Sequence, residues 1–450
     1  MEQKSSKIKQ WTGIWLLLVF CLCLTGCWGG RETDEVAIVL AMGIDKAKNK
    51  PLEVTVTIAI PGAFAGGVTG GGGEGGGAAE SFFNTSVQGA NVWECVSLLN
   101  TYIGREILLE HTRVFIFGEE LAREGLNKPL MSLLRNREVR GNSTLYISRG
   151  KARNFLEMNM PLLEVSPAKY YELMERSSRL TGLFPQRTLN DFNVILKSQH
   201  NSPTAIVVGA NHLGENQPQG MQGETQGGGG QDQQKQQQLD ERAAKSPSDN
   251  LRGMSYYAGE VPRLGGNQAT LMGSAVFRHD KMVGMLTGVE TRTMLLLQGE
   301  FNISTFVMRD PQHPGDRISL RLRQAKKPDI KMSVQDGRLR IDETIYLEGE
   351  YLAISSGENY EEPDKKKLVE AAFNQEMEEI ADGLIAKTRN KDWGDIFRWD
   401  RYYRKQLRSW QEWENLRWKE IYDEADVHVT FKTNIRRPGL LRKTESIGKE

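Results

Sequence analysis

The most ordered pattern in the sequence is VAIVLAMGI at residues 36–44, followed after a short polar segment by EVTVTIAI at residues 53–60. The first run is almost continuously apolar, and the second alternates and is rich in β-branched residues. Between them, Asp45-Lys46 and Asn49-Lys50-Pro51 supply turn formers. The pattern therefore predicts a β-hairpin over residues 36–60.

Outward from this hairpin, the first half of the chain mixes helices and strands. Helical periodicity covers residues 87–103, whereas residues 113–118, 143–148 and 204–209 are short apolar strands. Clean repeats of strand, helix and strand are absent. This order favours an α+β fold over a doubly wound parallel sheet.

The second half begins with a predicted hairpin around His279-Asp280-Lys281 and continues with alternating strands. A long amphipathic helix follows from about Asp364 to Asn390, and residues 427–433 alternate as a last strand. The apolar stripe of that helix has the spacing of a face laid on a sheet, and it consists of Val369, Phe373, Met377, Ile380 and Leu384. Residues 396–403 and 410–421 are predicted to be helical as well.

The predicted fold class is α+β with two or three domains, in which mixed or antiparallel sheets pack against helices and the C-terminal domain is a helix on a sheet. The expected domains are an N-terminal α+β domain (36–185, with a glycine-rich loop at 65–79), a small middle domain (186–213 and 253–268), a C-terminal α+β domain (269–436) and a polar tail (437–450). Residues 214–252 are rich in Gln and Gly, a composition that cannot bury enough apolar surface to fold, and are predicted to be a disordered loop.

The N-terminus has the layout of a bacterial lipoprotein signal. Lys4, Lys7 and Lys9 precede an apolar stretch from Trp11 to Leu24, which ends in Leu24-Thr25-Gly26-Cys27. Small residues before a cysteine suit a signal peptidase, and the Cys27 thiol can accept a diacylglycerol. The sequence therefore predicts a signal peptide over 1–26, lipidation of Cys27 and a tether over 27–35. An ordinary cleaved signal and a short uncleaved anchor are the alternatives.

Composition argues against several kinds of partner. Lys plus Arg and Asp plus Glu both number 58, so the formal charge is zero, which disfavours nucleic acid and a simple electrostatic grip on anionic lipid. If Cys27 is lipidated and the segment before it removed, Cys95 has no cysteine to pair with. We therefore expect Cys95 to be a buried small apolar residue rather than a reactive thiol.

No motif for catalysis, metal or cofactor binding stands out, so the chain is predicted not to be an enzyme and to hold no metal and no cofactor. No histidine has another histidine or cysteine at metal-ligand spacing, and nucleophile-elbow and dinucleotide motifs are absent. Glu376, Glu378 and Glu379 are expected on the solvated side of the long helix.

A cluster of tryptophans with basic neighbours lies near the C-terminus. Its members are Trp393, Trp399, Trp410, Trp413 and Trp418, interspersed with Arg398, Arg401, Arg404, Lys405 and Arg408. Tryptophan and arginine are enriched in binding surfaces, but tryptophans also complete cores. We expect most of these rings in the core, with one or two left as exposed anchors.

Several segments together resemble the Ger(x)C family of spore germination lipoproteins. The similar segments are Leu24-Thr25-Gly26-Cys27-Trp28, Arg31-Glu32, the apolar run ending Gly43-Ile44-Asp45, His111-Thr112-Arg113 through Gly118-Glu119-Glu120-Leu121-Ala122, Ala275-Val276-Phe277, Lys281-Met282-Val283-Gly284, Leu286, Glu290-Thr291, Asp392-Trp393-Gly394-Asp395-Ile396-Phe397 and Trp410. The resemblance spans nearly all of the chain after Cys27. The stretches at 65–79 and 214–252 depart from it and look like expanded loops.

The resemblance implies a non-enzymatic C subunit of a nutrient-germinant receptor. It further implies assembly with A-type and B-type integral membrane subunits at the outer face of the spore inner membrane, and a response of the complex to a small nutrient. A substrate-binding lipoprotein of a nutrient transporter is the alternative, and it would require two α/β lobes with parallel sheets around a cleft. A lipid-anchored hydrolase is a third hypothesis, which lacks a nucleophile or metal constellation.

Overall fold

The computed structural model describes residues 11, 15, 34–60, 81–164, 166–198, 200–211, 254–263 and 265–437. The predicted signal peptide, Cys27, most of the tether, the glycine-rich loop, the Gln/Gly-rich loop and the tail after Arg437 lie outside these residues. The described strands are β1 (Val36–Lys46), β2 (Leu52–Ala59), β3 (Phe82–Gly89), β4 (Glu106–Leu108), β5 (Val114–Gly118), β6 (Thr144–Ser148), β7 (Thr204–Ala210), β8 (Ala269–Arg278), β9 (Lys281–Leu286), β10 (Ile303–Arg309), β11 (Arg317–Gln324), β12 (Asp329–Gln335), β13 (Arg338–Ile354) and β14 (Asp426–Arg437).

Seven of the described helices lie among strands β3 to β10, and the other four follow one another between β13 and β14. They are α1 (Val92–Ile103), α2 (Glu119–Glu124), α3 (Asn127–Leu134), α4 (Ala152–Met158), α5 (Pro167–Thr181), α6 (Leu189–Lys197), α7 (Gly288–Gln298), α8 (Pro363–Asn390), α9 (Asp400–Arg404), α10 (Trp410–Glu414) and α11 (Trp418–Glu424). The strands form two sheets, so the protein has the predicted α+β class.

The predicted hairpin at residues 36–60 is confirmed and forms one side of the first sheet. Strands β1 and β2 pair antiparallel, with Met42 opposite Val56, and a bulge interrupts their register between Val39 and Ala41. Within the described residues the sheet runs β3-β2-β1-β5-β6-β7-β8-β9, and β4 also pairs with β1. Strands β1, β5, β6 and β7 are parallel and the outer strands antiparallel.

The parallel centre of this first sheet was not predicted, because the connections between its parallel strands contain unequal numbers of helices and hide the strand–helix–strand repeat.

Burial on both faces explains why these central strands are nearly all apolar. Phe115 and Phe117 belong to a core on one face of the sheet, whereas Val114 and Ile116 belong to a core on the other face. Side chains of successive strand residues point to opposite faces, so a strand covered on both faces needs apolar residues throughout.

The first sheet extends across two of the predicted domain boundaries. Strand β7 lies in the predicted middle segment, and β8 and β9 lie in the predicted C-terminal domain, yet β7 pairs with β8 and β8 with β9 in this sheet. The division into domains at 36–185, a middle segment and 269–436 therefore stays a prediction. Backbone hydrogen bonds of the first sheet join the three predicted domains to one another.

The second sheet is built around the long strand β13. Strands β11 and β12 pair antiparallel with the second and first halves of β13, and β10 pairs with β11. Strand β14 pairs parallel with β13 along its length, from Arg340–Asp426 to Glu350–Arg437. Since residues 340–350 contact β14 on one side, β11 and β12 lie together on the other side.

Helix α8 covers one face of the second sheet, as its periodicity predicts. Val369, Phe373, Met377 and Leu384 are buried in the core of this region, and Ile380 is partly buried against it. The predicted helix-on-sheet arrangement is thus confirmed.

Polar side chains of α8 also cover the outer edge of β14. Carboxylate or amide oxygens of Glu370, Asn374 and Glu378 accept hydrogen bonds from the backbone N–H groups of Ile435 (2.8 Å), Thr433 (3.1 Å) and Phe431 (2.9 Å). Residues four apart lie on one helix face and alternate strand residues point their N–H groups to one side, so the spacings of helix and strand match. The edge strand is thereby closed by a helix.

This contact corrects one expectation about the carboxylates of the long helix. Glu379 is exposed as predicted, but Glu376 and Glu378 are half-buried, and Glu378 bonds to the edge strand. The helical pattern placed Glu378 away from the apolar stripe but gave no sign of a strand edge beside it.

Candidate functional site

The predicted lipidation site at Cys27 lies outside the described residues. In the part of the chain that the structure describes, no helix has the length and apolar character of a membrane span. Nor do three or more His, Cys, Asp or Glu side chains of that part converge in a way that could hold a metal ion. Cys95 is fully buried among apolar side chains, and burial raises the pKa of its thiol to about 11, as suits the structural role expected of it.

Four of the five clustered tryptophans are buried, and one is exposed, as expected. Trp393, Trp399, Trp413 and Trp418 are at most 6% exposed, whereas Trp410 is 55% exposed. Trp393 packs against β9, where it approaches Gly284 so closely that any side chain there would overlap the indole. The tryptophan segment therefore ties the region after α8 to the edge of the first sheet.

The buried carboxyl group of Asp395 organises this segment. Its Oδ1 accepts the backbone N–H groups of Phe397 (2.8 Å) and Arg398 (2.9 Å). Its Oδ2 accepts the N–H of Asp400 (3.1 Å) and the indole N–H of Trp418 (3.0 Å). The Asp395 carboxylate thus accepts hydrogen bonds from four N–H groups. Without it, these buried N–H groups would lack a partner.

The same hydrogen bonds explain why the prediction of helix at 396–403 and 410–421 was wrong in extent. Arg398 has a positive φ of 66°, and the N–H groups that would start a helix at 396 point to the Asp395 carboxylate instead. Helix begins only at Asp400, and residues 415–417 separate α10 from α11.

A second buried carboxyl group, Asp400, lies beside Asp395 and is 2% exposed. Its Oδ2 accepts a hydrogen bond from Asn201 Nδ2 at 2.6 Å. Asp400 Oδ1 and Asn201 Oδ1 are also buried, and neither has a hydrogen-bond partner among the described residues. Burial, followed by the charge of Asp395, raises the pKa of Asp400 to about 7.

The two carboxyl groups differ in the hydrogen bonds that they receive. Burial raises the pKa of Asp395 too, but its four N–H donors favour the carboxylate. A proton shared by this pair therefore resides on Asp400, whose one donor is the Asn201 amide. Ionising two neighbouring carboxyl groups costs free energy because their negative charges repel each other, so one of the two keeps the proton.

Asp400 and Asn201 line a cleft of about 690 Å³ between α6 and the segment from α9 to α10. The cleft has an apolar wall, a polar floor and a basic rim, and it is lined by Val194, Ile195, Lys197, Ser198, His200, Asn201, Asp400, Arg401, Arg404, Trp410, Trp413 and Glu414. Its volume lies in the range of small-molecule sites. Residues 200 and 201 directly precede β7, so the cleft lies at the edge of the first sheet where the parallel strands begin.

Aromatic and basic side chains make the walls of this cleft rigid. His200 packs against Trp413 with ring centroids 4.1 Å apart, and burial lowers the pKa of His200. The guanidinium of Arg404 lies 4.6 Å from the ring centre of Trp410, a cation–π distance. Val194 and Trp410 are 60% and 55% exposed, so apolar surface within the cleft is uncovered.

A second recess of about 620 Å³ adjoins the cleft and shares Val194, Ile195 and Arg401 with it. Here the Arg187 side chain donates to Glu300 (2.7 Å) and to Gln298 (2.7 Å), and Arg398 pairs with Glu300 as well. Burial acts to raise the pKa of Glu300, but Arg187 and Arg398 outweigh it and hold that pKa below its usual value. Arg187 and Arg398 are both paired with Glu300 here, so this recess is lined by ion pairs that are already formed.

Sequence reasoning identified the tryptophans of this cleft but missed its floor. Asn201 and Asp400 are 199 residues apart, and neither belongs to a motif. The only available signal was the basic and aromatic composition around Asp400. That composition indicates a binding surface, but it does not indicate that α6 forms the other side of the cleft.

Comparison with known proteins covers both halves of the chain. Residues 29–210 match the family described as Spore germination protein N-terminal domain, and residues 272–439 match Spore germination B3/GerAC like, C-terminal. The Bacillus subtilis (strain 168) protein YfkR is 25% identical, over 96% of this chain and 97% of its own length. Spore germination protein KC of the same strain is 24% identical, over 94% of this chain and 95% of its own length.

One solved structure, the crystal structure of the GerBC protein, is similar to the chain with a TM-score of 0.49 and 15% identity. That similarity covers 88% of this chain and 98% of the other.

Proposed function

The chain belongs to the Ger(x)C family of spore germination proteins, and from that premise we propose that it is the lipid-anchored C subunit of a nutrient-germinant receptor. In this role it is not an enzyme. It acts in the assembly of the receptor, in sensing, or in both, at the outer face of the spore inner membrane. Its partners are an A-type and a B-type integral membrane subunit.

The observation that carries the proposal is the match of both halves of the chain, in order, to the two domains of the family. The relatives named above match over almost their whole lengths, and one of them is spore germination protein KC. A shared single domain would have allowed a different whole protein, whereas two ordered domains support a shared function.

The anchor in this proposal is a lipid on Cys27. Residues 28–36 connect it to the start of β1, and nine residues reach at most about 30 Å. The edge of the first sheet at which β1 begins is also where β5, β6 and β7 begin, and this edge faces the membrane. Two or three acyl chains suffice for stable anchoring.

A substrate-binding lipoprotein of a nutrient transporter is the alternative, and the described residues do not favour it. That class needs two α/β lobes with parallel sheets around the ligand. Here the first sheet has a parallel centre, but β10, β11, β12 and β13 of the second sheet are antiparallel.

The experiment that tests the proposal is crosslinking with mass spectrometry on inner membranes of dormant spores that carry a tagged copy of the chain. We expect crosslinks to two polytopic subunits, concentrated at the sheet edge where β1 begins. Crosslinks to a transporter, or to no protein at all, would contradict the receptor role.

The anchor has a separate test in Cys27→Ala, with Cys23→Ala as the matched control in the apolar stretch before the signal's end. We expect Cys27→Ala to abolish labelling by a fatty-acid probe and to release the chain from membranes that lack receptor subunits, whereas Cys23→Ala changes neither. Unchanged acyl labelling in Cys27→Ala would show that Cys27 is not the lipidated residue.

A further inference from the structure

We propose that the exposed surface around Trp410 lies on the membrane and binds the headgroups of anionic phospholipids, with the Trp410 indole at the depth of the headgroups. This Trp410 surface consists of Trp410 together with Lys197, Arg401 and Arg404, all of which line the cleft between α6 and the α9–α10 segment. The inference rests on the proposed lipid anchor and goes beyond it, because an anchor by itself does not determine which surface of the folded chain contacts the bilayer.

The charges around Trp410 are mostly positive, although the formal charge of the whole chain is zero. Residues 401–410 contain no aspartate or glutamate and four cations, which are Arg401, Arg404, Lys405 and Arg408. All four cations are exposed, and so is Lys197 on the other side of the cleft. Even with Glu412 and Glu414, residues 401–414 keep two more positive than negative charges. The surface therefore complements an anionic one.

Trp410 presents an apolar ring in the middle of these cations. Its side chain is 55% exposed, and the neighbouring Val194 is 60% exposed. The guanidinium of Arg404 lies 4.6 Å from the ring centre, and Glu414 accepts a hydrogen bond from the indole N–H. Tryptophan rings with lysine and arginine beside them are typical of the membrane–water interface, where the ring lies at the level of the headgroups.

The tether and the Trp410 surface lie at the same edge of the first sheet. Strands β1, β5, β6 and β7 are parallel neighbours, so their first residues share one edge. The tether joins β1 at Val36, and Asn201 on the floor of the cleft precedes β7. Four neighbouring strands span about 15 Å, and a lipid on Cys27 lies at most about 30 Å from Val36. The anchor thus keeps the Trp410 surface near the bilayer.

This position favours a bilayer over an acidic protein as the occupant of the surface. The short tether brings the edge to the headgroups whether or not another protein is present. Each Lys or Arg close to an anionic bilayer strengthens binding roughly five-fold. Lys197, Arg401 and Arg404 therefore orient the anchored chain with Trp410 towards the lipid.

The test measures how close Trp410 comes to the acyl chains. The full lipidated chain is reconstituted through its own anchor into phosphatidylcholine vesicles with or without about 30% phosphatidylglycerol. The acyl chains carry bromine, which quenches tryptophan fluorescence at short range. Other tryptophans are present, including Trp28 beside the anchor, so the Trp410 contribution is the quenching that Trp410→Phe removes.

We expect a Trp410 contribution in the vesicles with phosphatidylglycerol that falls at least about 3-fold in phosphatidylcholine alone. Salt at about 1 M should lower it similarly, because the Debye length shrinks to about 3 Å. The anchor holds the chain on the vesicle in every condition, so weaker quenching reports separation of the surface from the headgroups. An equal Trp410 contribution with and without phosphatidylglycerol would contradict the binding of anionic headgroups.

Charge variants test the cations directly. Lys197→Gln combined with Arg404→Gln should lower the Trp410 contribution at least about 3-fold in the vesicles with phosphatidylglycerol. The matched control is Lys48→Gln combined with Lys50→Gln, which removes two exposed lysines from the turn between β1 and β2, at the opposite edge of the first sheet. Equal losses in the two pairs would show an effect of net charge and would overturn the assignment to the Trp410 surface.

Vesicle flotation separates this inference from the proposed anchor. If the chain floats with both kinds of vesicle but Trp410 contributes no quenching, the anchor stands and the Trp410 surface does not bind lipid. If Cys27 carries no lipid, the surface alone should make the chain float with phosphatidylglycerol vesicles and not with phosphatidylcholine. Flotation of an unlipidated chain with neither would overturn the inference together with the anchor.

Discussion

The two sheets of this protein solve the problem of burial in different ways. Strands β5 and β6 at the centre of the first sheet are buried at every position, because cores lie on both of their faces. In the second sheet β10 and β11 alternate buried and half-exposed residues, because α8 and its neighbours cover only one face. The first sheet is therefore stabilised by cores on both of its faces. The second sheet depends on one core, which includes Trp393, Trp399 and Trp418, and on the helix that covers its edge strand.

The largest expected loss of stability comes from removing a buried tryptophan side chain from the core of the second sheet. Trp399 is fully buried and its indole N–H donates to Glu343 at 2.8 Å. We expect Trp399→Ala to lower the free energy of unfolding by about 3–5 kcal/mol, from the cavity and the lost hydrogen bond. Urea denaturation measures the loss, and hydrogen exchange locates it.

Hydrogen exchange in Trp399→Ala also tests whether the two sheets differ in stability. Amides of β13 and β14 should exchange faster while those of β5 and β6 stay protected. Equal acceleration in both sheets would show that they unfold as one unit. Trp410→Ala is the control, since its exposed ring should cost less than about 1 kcal/mol.

A smaller, pH-dependent effect is expected at Asp400. Its pKa is raised to about 7 by burial and by Asp395, so the folded state favours the protonated carboxyl. The stability that it contributes is present below the unfolded pKa near 3.8 and is lost as pH rises through about 7. Asp400→Asn removes this loss, so between pH 4 and pH 8 the variant should gain on the wild type by on the order of 2–4 kcal/mol.

Urea denaturation of both proteins at several pH values gives this difference. Other titratable or charged groups lie near Asp400 and are present in both proteins: Asp395, Lys197, His200, Arg401, Arg404 and Glu414. Asp364→Asn, at a fully exposed site in α8, should show no such trend. A difference that stays constant with pH would contradict the protonated state of Asp400.

The smallest effect concerns the edge of the second sheet. Asn374→Ala leaves the N–H of Thr433 without its acceptor, and we expect a loss of about 1 kcal/mol. Glu379→Ala, on the exposed side of α8, should cost less than half of that. If both substitutions cost the same, the side chains along α8 do not close the strand edge. Equilibrium unfolding in urea measures both.

Sequence patterns predicted the parts of the fold whose signal is local. The hairpin at 36–60 and the stripe of α8 follow from periodicity within one element, and the burial of most tryptophans follows from their size. The parallel pairing of β1 with β5 and β6 did not follow, because strand order depends on which crossovers pack on which face.

The candidate site was predictable only in part, for a related reason. Trp410 and Arg404 drew attention through composition, but the floor joins Asn201 and Asp400 across most of the chain. The break in the predicted helix at Ile396 depends on one carboxylate that takes N–H groups on its C-terminal side. Whether these N–H groups bond within a helix or to the Asp395 side chain depends on the burial of Asp395, and a sequence pattern does not show that burial.

The position of β14 has a consequence for how the protein is made. This strand is the last described element of the chain, yet it pairs with β13 from Arg340 onward. During synthesis from the N-terminus, one side of β13 therefore stays open until residues 426–437 have been made. The first sheet needs nothing beyond Leu286 for its described strands, so it can form while the second is still being delivered. A chain interrupted shortly before residue 426 would leave that side of β13 unpaired and open to pairing with another strand.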